Sequence, residues 1–184
     1  MLRRSMSTLS LLLTLGFLIV LFSGCGGEAA KQTPQSSSSP GPIGNQVGDT
    51  APDFSLKDTN GNTISLSSLR GKVVFLNMWD SFCAACQYEM PQLQTINNTY
   101  GGQAFKLLAI NLSDDLSTIQ NYFSLNNFTF TTLIGQGTDI YSKFGIGYVP
   151  TNFILDKIGV IRLREDGSSG VSSWSAIINQ LLSQ

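Results

Sequence analysis

The chain has 184 residues, 3 cysteines and no histidine, with 11 Lys/Arg against 12 Asp/Glu and a net charge of −1. The missing histidine removes Ser–His and Cys–His nucleophilic pairs, HExxH-type zinc sites and histidine-ligated copper together. From Gln46 onward there are 8 Lys/Arg and 11 Asp/Glu without a basic cluster, which argues against nucleic acid as a partner.

Residues 1–24 read as an export signal. Arg3 and Arg4 precede an apolar run from Leu9 to Phe22. That run is shorter than the roughly 20 residues a spanning helix needs, which favours a signal peptide over a permanent anchor. The end of the run, Leu21-Phe22-Ser23-Gly24-Cys25, resembles a lipoprotein signal, with Phe22 where such signals usually carry Leu. The resemblance implies that Cys25 is lipid-modified and becomes the new N-terminus, which also accounts for the odd cysteine. Residues 25–46 are rich in Gly, Ser, Pro and Gln and have almost nothing apolar to bury. They read as a flexible tether. The domain proper is expected over residues 47–184.

Within it, Ala51–Leu56 and Thr63–Leu66 on either side of Asn60-Gly61-Asn62 read as a β-hairpin. Ser67–Gly71 reads as one helical turn closing at glycine. Val73–Trp79 is an apolar run of β-branched and aromatic residues, the pattern of a buried strand. It stops at Asp80-Ser81. From Ala84 onward glycine is absent and helix formers follow to about Tyr100, with Pro91 expected to kink the helix. Ala104–Asn111 reads as a second buried strand and Leu116–Leu125 as a helix introduced by Asp114-Asp115. Thr138–Phe144 reads as a short helix. Thr151–Leu155 and Val160–Leu163 read as a hairpin, and Trp174–Leu182 as an amphipathic terminal helix.

The order strand, short turn, helix places Cys83 and Cys86 in the first turn of the helix, with two residues between them and close enough to form a disulfide. Unpaired backbone N–H groups and the positive end of the helix dipole both favour a thiolate there. A purely structural bridge across so small a loop stabilises little. A zinc site lacks a second cysteine pair to complete four ligands. Cys83, first in the motif, is the candidate nucleophile, and Cys86 the resolving thiol. Glu89 shares a helix face with Cys86. If buried, its pKa rises and it can exchange a proton with Cys86. Trp79 and Phe82 flank the turn, as core or as an apolar lip for a partner. Asp80 reads as a turn cap, and Tyr148 as a weaker substrate contact.

Several stretches now carry a family resemblance: Ala-Pro-Asp-Phe-Ser-Leu (51–56), Leu-Arg-Gly-Lys (69–72), Val-Val-Phe-Leu-Asn-Met-Trp (73–79), Phe-Cys-Ala-Ala-Cys (82–86), Glu-Met-Pro (89–91), Gly-Tyr-Val-Pro-Thr (147–151) and Phe-Ile-Leu-Asp-Lys-Ile-Gly (153–159). In this order, over residues 47–184, they resemble the membrane-tethered thiol–disulfide oxidoreductases of the TlpA/ResA type. Phe82 stands where the family usually has Trp, and Ala84-Ala85 where many relatives carry Pro or a charge. The resemblance implies an α/β, thioredoxin-like fold: a central mixed β-sheet flanked by helices, with an N-terminal β-hairpin extension. It implies a cis Val149–Pro150 bond against the two cysteines, with the Val149 backbone free to pair with a substrate strand. It implies a buried glutamate at position 89, an extracytoplasmic address and no cofactor. It implies protein disulfides as substrates, those of apocytochrome c among them, and a CcdA/DsbD-like membrane protein as electron donor. A monomer is expected. Three other readings stand beside a reductase: a thiol oxidant or isomerase, a non-catalytic binding module, and a peroxidase. The last needs a Pro-x-x-x-Thr/Ser-x-x-Cys loop, and no proline precedes Cys83 at that spacing.

Overall fold

The computed structural model describes residues 41–102 and 104–184. The expected export signal, the expected lipidation site at Cys25 and residues 25–40 of the expected tether lie outside the described residues. Strands β1 (Ser55–Lys57) and β2 (Thr63–Ser65) form the expected antiparallel hairpin. Its turn uses Gly61 at φ 86°, a conformation that a side chain would strain. A 3-10 turn at Ser67–Leu69 leads into β3 (Val73–Trp79), α1 (Ala84–Tyr100), β4 (Phe105–Asn111) and α2 (Leu116–Asn126). Then come β5 (Thr131–Ile134), α3 (Ile140–Lys143), β6 (Thr151–Leu155), β7 (Ile161–Asp166) and α4 (Val171–Leu182).

The main sheet has the order β5-β4-β3-β6-β7. β3 runs parallel to β4, and β4 to β5, while β6 is antiparallel to both β3 and β7. This is the mixed, helix-flanked sheet that the resemblance implied. β3 is its centre, with all seven residues buried. Alternate residues of a strand face opposite sides. Val73, Phe75 and Trp79 therefore pack with Met90, Leu93 and Ile96 of α1 and with Trp174 and Ile178 of α4. Val74, Leu76 and Met78 pack against Leu56, Leu66, Ile140 and Phe144 on the other face. A strand covered on both faces reads as an unbroken apolar run, as this one does. The register also puts Asn77 on the α1 side, a polar group in an otherwise apolar layer.

Two features depart from the sequence reading. β5 had no counterpart there: it is four residues long and is placed by pairing with β4 and by a bridge from Leu133 to Asp58, so its order comes from distant segments. Residues 41–46, expected to be part of a tether, are built into the domain. The Thr50 N–H donates to Pro42 O at 2.8 Å, and the Gly44 N–H to Thr50 O at 3.0 Å. Residues 48–51 then pair with the start of β7, with Gly48 N–H to Ile161 O at 2.9 Å, Ile161 N–H to Asp49 O at 2.9 Å and Ala51 N–H to Gly159 O at 3.0 Å. Among the described residues, no helix is long and apolar enough to cross a membrane.

Candidate active site

The site forms where β3 ends and α1 begins. Cys83 is the N-cap of α1, in extended conformation at φ −84° and ψ 108°. Its Sγ accepts a hydrogen bond from the Cys86 N–H at 3.1 Å. Cys83 and Cys86 are joined as a disulfide with their Cα atoms 5.1 Å apart. Cys86 is buried among the apolar residues of α1 and β3, whereas Cys83 is partly exposed. That asymmetry suits an outer attacking sulfur and an inner resolving one. The helix N-terminus that caps a neutral sulfur here would stabilise the Cys83 thiolate after reduction.

The turn before Cys83 is held from two sides. Asp114, buried at the end of β4, accepts from the Ser81 N–H at 2.8 Å and from the Ser81 hydroxyl at 2.9 Å. The Asn111 amide donates to the same carboxylate at 2.6 Å, and Asn111 Oδ1 accepts from the Asp114 N–H at 2.8 Å. From α1, Gln87 Nε2 donates to Ser81 O at 2.7 Å. Ser81 therefore cannot shift without breaking bonds to a buried carboxylate.

Val149–Pro150 is cis. Val149 O lies 3.5 Å from Cys83 Sγ, where a reduced thiol would donate to it. The Thr151 hydroxyl donates to Tyr148 O at 2.8 Å and so fixes the approach to the proline. Glu89, fully buried, faces the sheet from the next turn of α1 after Cys86. Its Oε1 accepts from Asn77 Nδ2 at 3.2 Å, and the same amide donates to Asn152 Oδ1 at 2.9 Å. Glu89 Oε2 and Asn77 Oδ1 have no partner among the protein groups. Burial pushes the Glu89 carboxyl up to about 7; the Glu165 charge adds to this, while the nearby polar side chains of Asn152 and Ser168 pull against it.

The structure thus brings Cys83, Cys86, Glu89, Val149 and Pro150 to one end of the sheet. Phe82 projects beside them at 88 % exposure, with Tyr148 also exposed. Trp79 is a correction. It is wholly buried, its ring 5.2 Å from Tyr122 and 5.7 Å from Phe123, so it packs the core and offers no surface to a substrate. The reason is its register on the α1 face of β3. The sequence reading missed Asn77, Asn152 and the Asp114–Ser81 pair. A lone Asn inside an apolar strand was the available signal for the first two. Among the described residues, no group of three or more Cys, Asp or Glu side chains is placed to hold a metal ion.

A mixed sheet of this topology, an N-capping dithiol and an adjoining cis proline define a thioredoxin-fold thiol–disulfide oxidoreductase. The chain belongs to the AhpC/TSA family, whose model matches residues 47–164. It is 34 % identical over 116 residues to the thiol-disulfide oxidoreductase ResA of Geobacillus thermodenitrificans (strain NG80-2), covering 63 % of this chain and 67 % of that one. Among solved structures it is similar to a proposed protein disulfide isomerase from Bacteroides thetaiotaomicron, with TM-score 0.71 and 29 % identity over 79 % of this chain and 95 % of that one. It is also similar to a proposed thiol:disulfide interchange protein DsbE from Chlorobium tepidum, with TM-score 0.66 and 27 % identity over 75 % and 96 % of the two chains.

Proposed function

We propose that this protein is an extracytoplasmic protein-disulfide reductase held to a membrane by a lipid on Cys25. The observation that carries the reductase reading is the graded burial of the dithiol beside a carboxyl whose pKa lies near neutrality. In the reduced protein, the Cys83 thiolate attacks one sulfur of a partner disulfide, forming a mixed disulfide and releasing the partner's other sulfur as a thiolate, which takes up a proton. Cys86 then loses its proton to Glu89 and attacks Cys83 Sγ, releasing the second partner thiol. Two electrons pass to the partner and the Cys83–Cys86 disulfide remains. The Val149 backbone pairs with the partner strand, Pro150 shapes the approach, and Phe82 gives the apolar lip. A CcdA/DsbD-like membrane dithiol restores the reduced state, and apocytochrome c disulfides fit the substrate class. The export-type N-terminus supports the address.

The direction is tested by the reduction potential of Cys83–Cys86, read by thiol trapping in defined redox buffers. A value near −270 mV supports a reductase; one near −120 mV sinks it in favour of an oxidant. Cys86→Ser is expected to trap mixed disulfides with partners, and Cys83→Ser to trap none. The family also has peroxidase chemistry as a competing reading. Leu76 and Asp80 occupy the positions where a peroxidase loop needs Pro and Thr/Ser, so no rapid peroxide turnover through Cys83 is expected.

A further inference from the structure

Arg164 lies on β7, does not touch either cysteine, and has a side chain only 14 % exposed. Its guanidinium is committed to backbone carbonyls from two separate parts of the chain. Nη1 donates to Asn45 O and to Phe144 O, both at 3.1 Å, and Nη2 donates to Gly145 O at 3.0 Å. The same Nη2 lies 3.5 Å from Asp166 Oδ1, and the guanidinium carbon stands 5.3 Å from the centre of the Phe153 ring. A planar fork with fixed donors, stacked on an aromatic face, orients what it binds more rigidly than an ammonium could.

These carbonyls matter because of where they sit. Phe144 and Gly145 begin the loop that runs to Val149 and Pro150. The other end of the loop is held by the Thr151 hydroxyl, which donates to Tyr148 O at 2.8 Å and lies 3.1 Å from Asp166 Oδ1. Arg164 and Asp166 therefore grip the loop at both ends. Asn45 belongs to the N-terminal segment that the sequence placed in the tether. It is in direct contact with the loop: Gly145 has φ +56°, and a side chain there would run into the Asn45 amide.

We propose that Arg164 is a positioning residue: it clamps the start of the Val149–Pro150 loop against the N-terminal turn at Asn45 and so sets the Val149 backbone for pairing with a partner strand. This rests on the reading above that partners pair with Val149. Small disulfides that touch only Cys83 have no use for the clamp. Disulfides embedded in an extended peptide do.

The test uses the full chain in reduced form and two probes with the same coloured leaving group. One is dithionitrobenzoate itself; the other is a short extended peptide whose cysteine is capped by the same thionitrobenzoate. Arg164→Gln is expected to slow the peptide reaction about tenfold, within the range that lost orientation accounts for, while the small disulfide slows by less than about threefold. Arg164→Lys keeps the charge but not the three-carbonyl fork, and shows the same selective loss. In both variants, amide hydrogen exchange quickens over residues 145–151 and not in β3 or α1. Equal slowing of both probes, or no slowing of either, overturns the proposal. If Arg164→Gln does not fold, Arg164→Lys and its exchange pattern decide the matter. A wild-type protein that shows no preference for the peptide refutes the Val149 reading instead, which separates the two failures.

Discussion

Two buried polar clusters flank the dithiol, and they are built differently. Around Ser81, the Asp114 carboxylate takes three bonds of 2.6 to 2.9 Å from Ser81 and Asn111, and the Asn111 carbonyl accepts from the Asp114 N–H at 2.8 Å and the Ser113 N–H at 3.2 Å. Beneath Cys86, Glu89 keeps one oxygen unpaired, the Asn77 carbonyl is unpaired as well, and the one bond to the carboxylate is 3.2 Å long. In a low-dielectric interior a satisfied network adds rigidity, while an unsatisfied polar atom costs stability. The first cluster therefore reads as scaffold for the turn that carries Cys83. The second has the character of a site maintained for chemistry, at a cost to the fold.

The sharpest way to break this contrast is Asp114→Ala. It leaves the Ser81 N–H, the Ser81 hydroxyl and the Asn111 amide without their acceptor. The expected loss is about 4 kcal/mol, since breaking a buried charged network removes that order of stability. For a domain of this size that corresponds to a fall in Tm of roughly 10 °C. Urea unfolding of the oxidised protein measures it. A shift in stability below about 1 kcal/mol would leave the scaffold reading without support.

Glu89→Gln tests the other cluster, and its effect depends on pH. The Glu89 carboxyl sits at about 7 in the folded protein against an ordinary value of 4.5. The folded state thus holds this proton more tightly than the unfolded state does. The stabilisation is fully present below pH 4.5 and is lost as pH rises through 7. Integrated over that window, the wild-type protein loses on the order of 3 kcal/mol that a glutamine variant does not. The groups that face this carboxyl are Asn77 from β3, Asn152 from β6, Glu165 from β7 and Ser168 after it. Unfolding at pH 5 and pH 8 gives the comparison: Glu89→Gln should gain on the wild type at the higher pH. Identical pH slopes for the two proteins would mean that the carboxyl is not held neutral by burial.

How much of this was legible in the sequence follows from the range of each interaction. β3, α1 and the dithiol were visible because an unbroken apolar run, a helix start and two cysteines lie within fourteen residues of chain. Burial of Glu89 followed from the resemblance and from its helix face. The partner of Asn77 did not, because Asn152 reaches it through strand register from 75 residues away. β5 escaped for the same reason: Thr131–Ile134 is too short for alternation to show and is defined by its pairing with β4. Residues 41–44 were read as linker because Gly, Pro and Ile carry a flexible-linker composition, yet their backbone groups bond to Thr50. Composition registers side chains, and this segment is held by its main chain.

Phe82 gives the smallest effect and completes the contrast, because it belongs to neither cluster. At 88 % exposure it contributes little to the core, so Phe82→Ala should change stability by no more than about 0.5 kcal/mol. Its position one residue before Cys83 makes it the aromatic group that a docking partner meets first. Truncating an aromatic anchor at the rim of an interface costs about 1 kcal/mol, or roughly fivefold in the rate of exchange with a protein disulfide. The rate with a small disulfide should stay the same. A polar cluster that fixes Ser81, another that tunes Cys86 and an exposed ring that meets the partner then give three separable signatures: loss of stability alone, a changed pH slope, and loss of protein-substrate exchange alone. If Phe82→Ala instead destabilises the fold as Asp114→Ala does, the ring packs in solution, and the lip of the site must be sought at Tyr148.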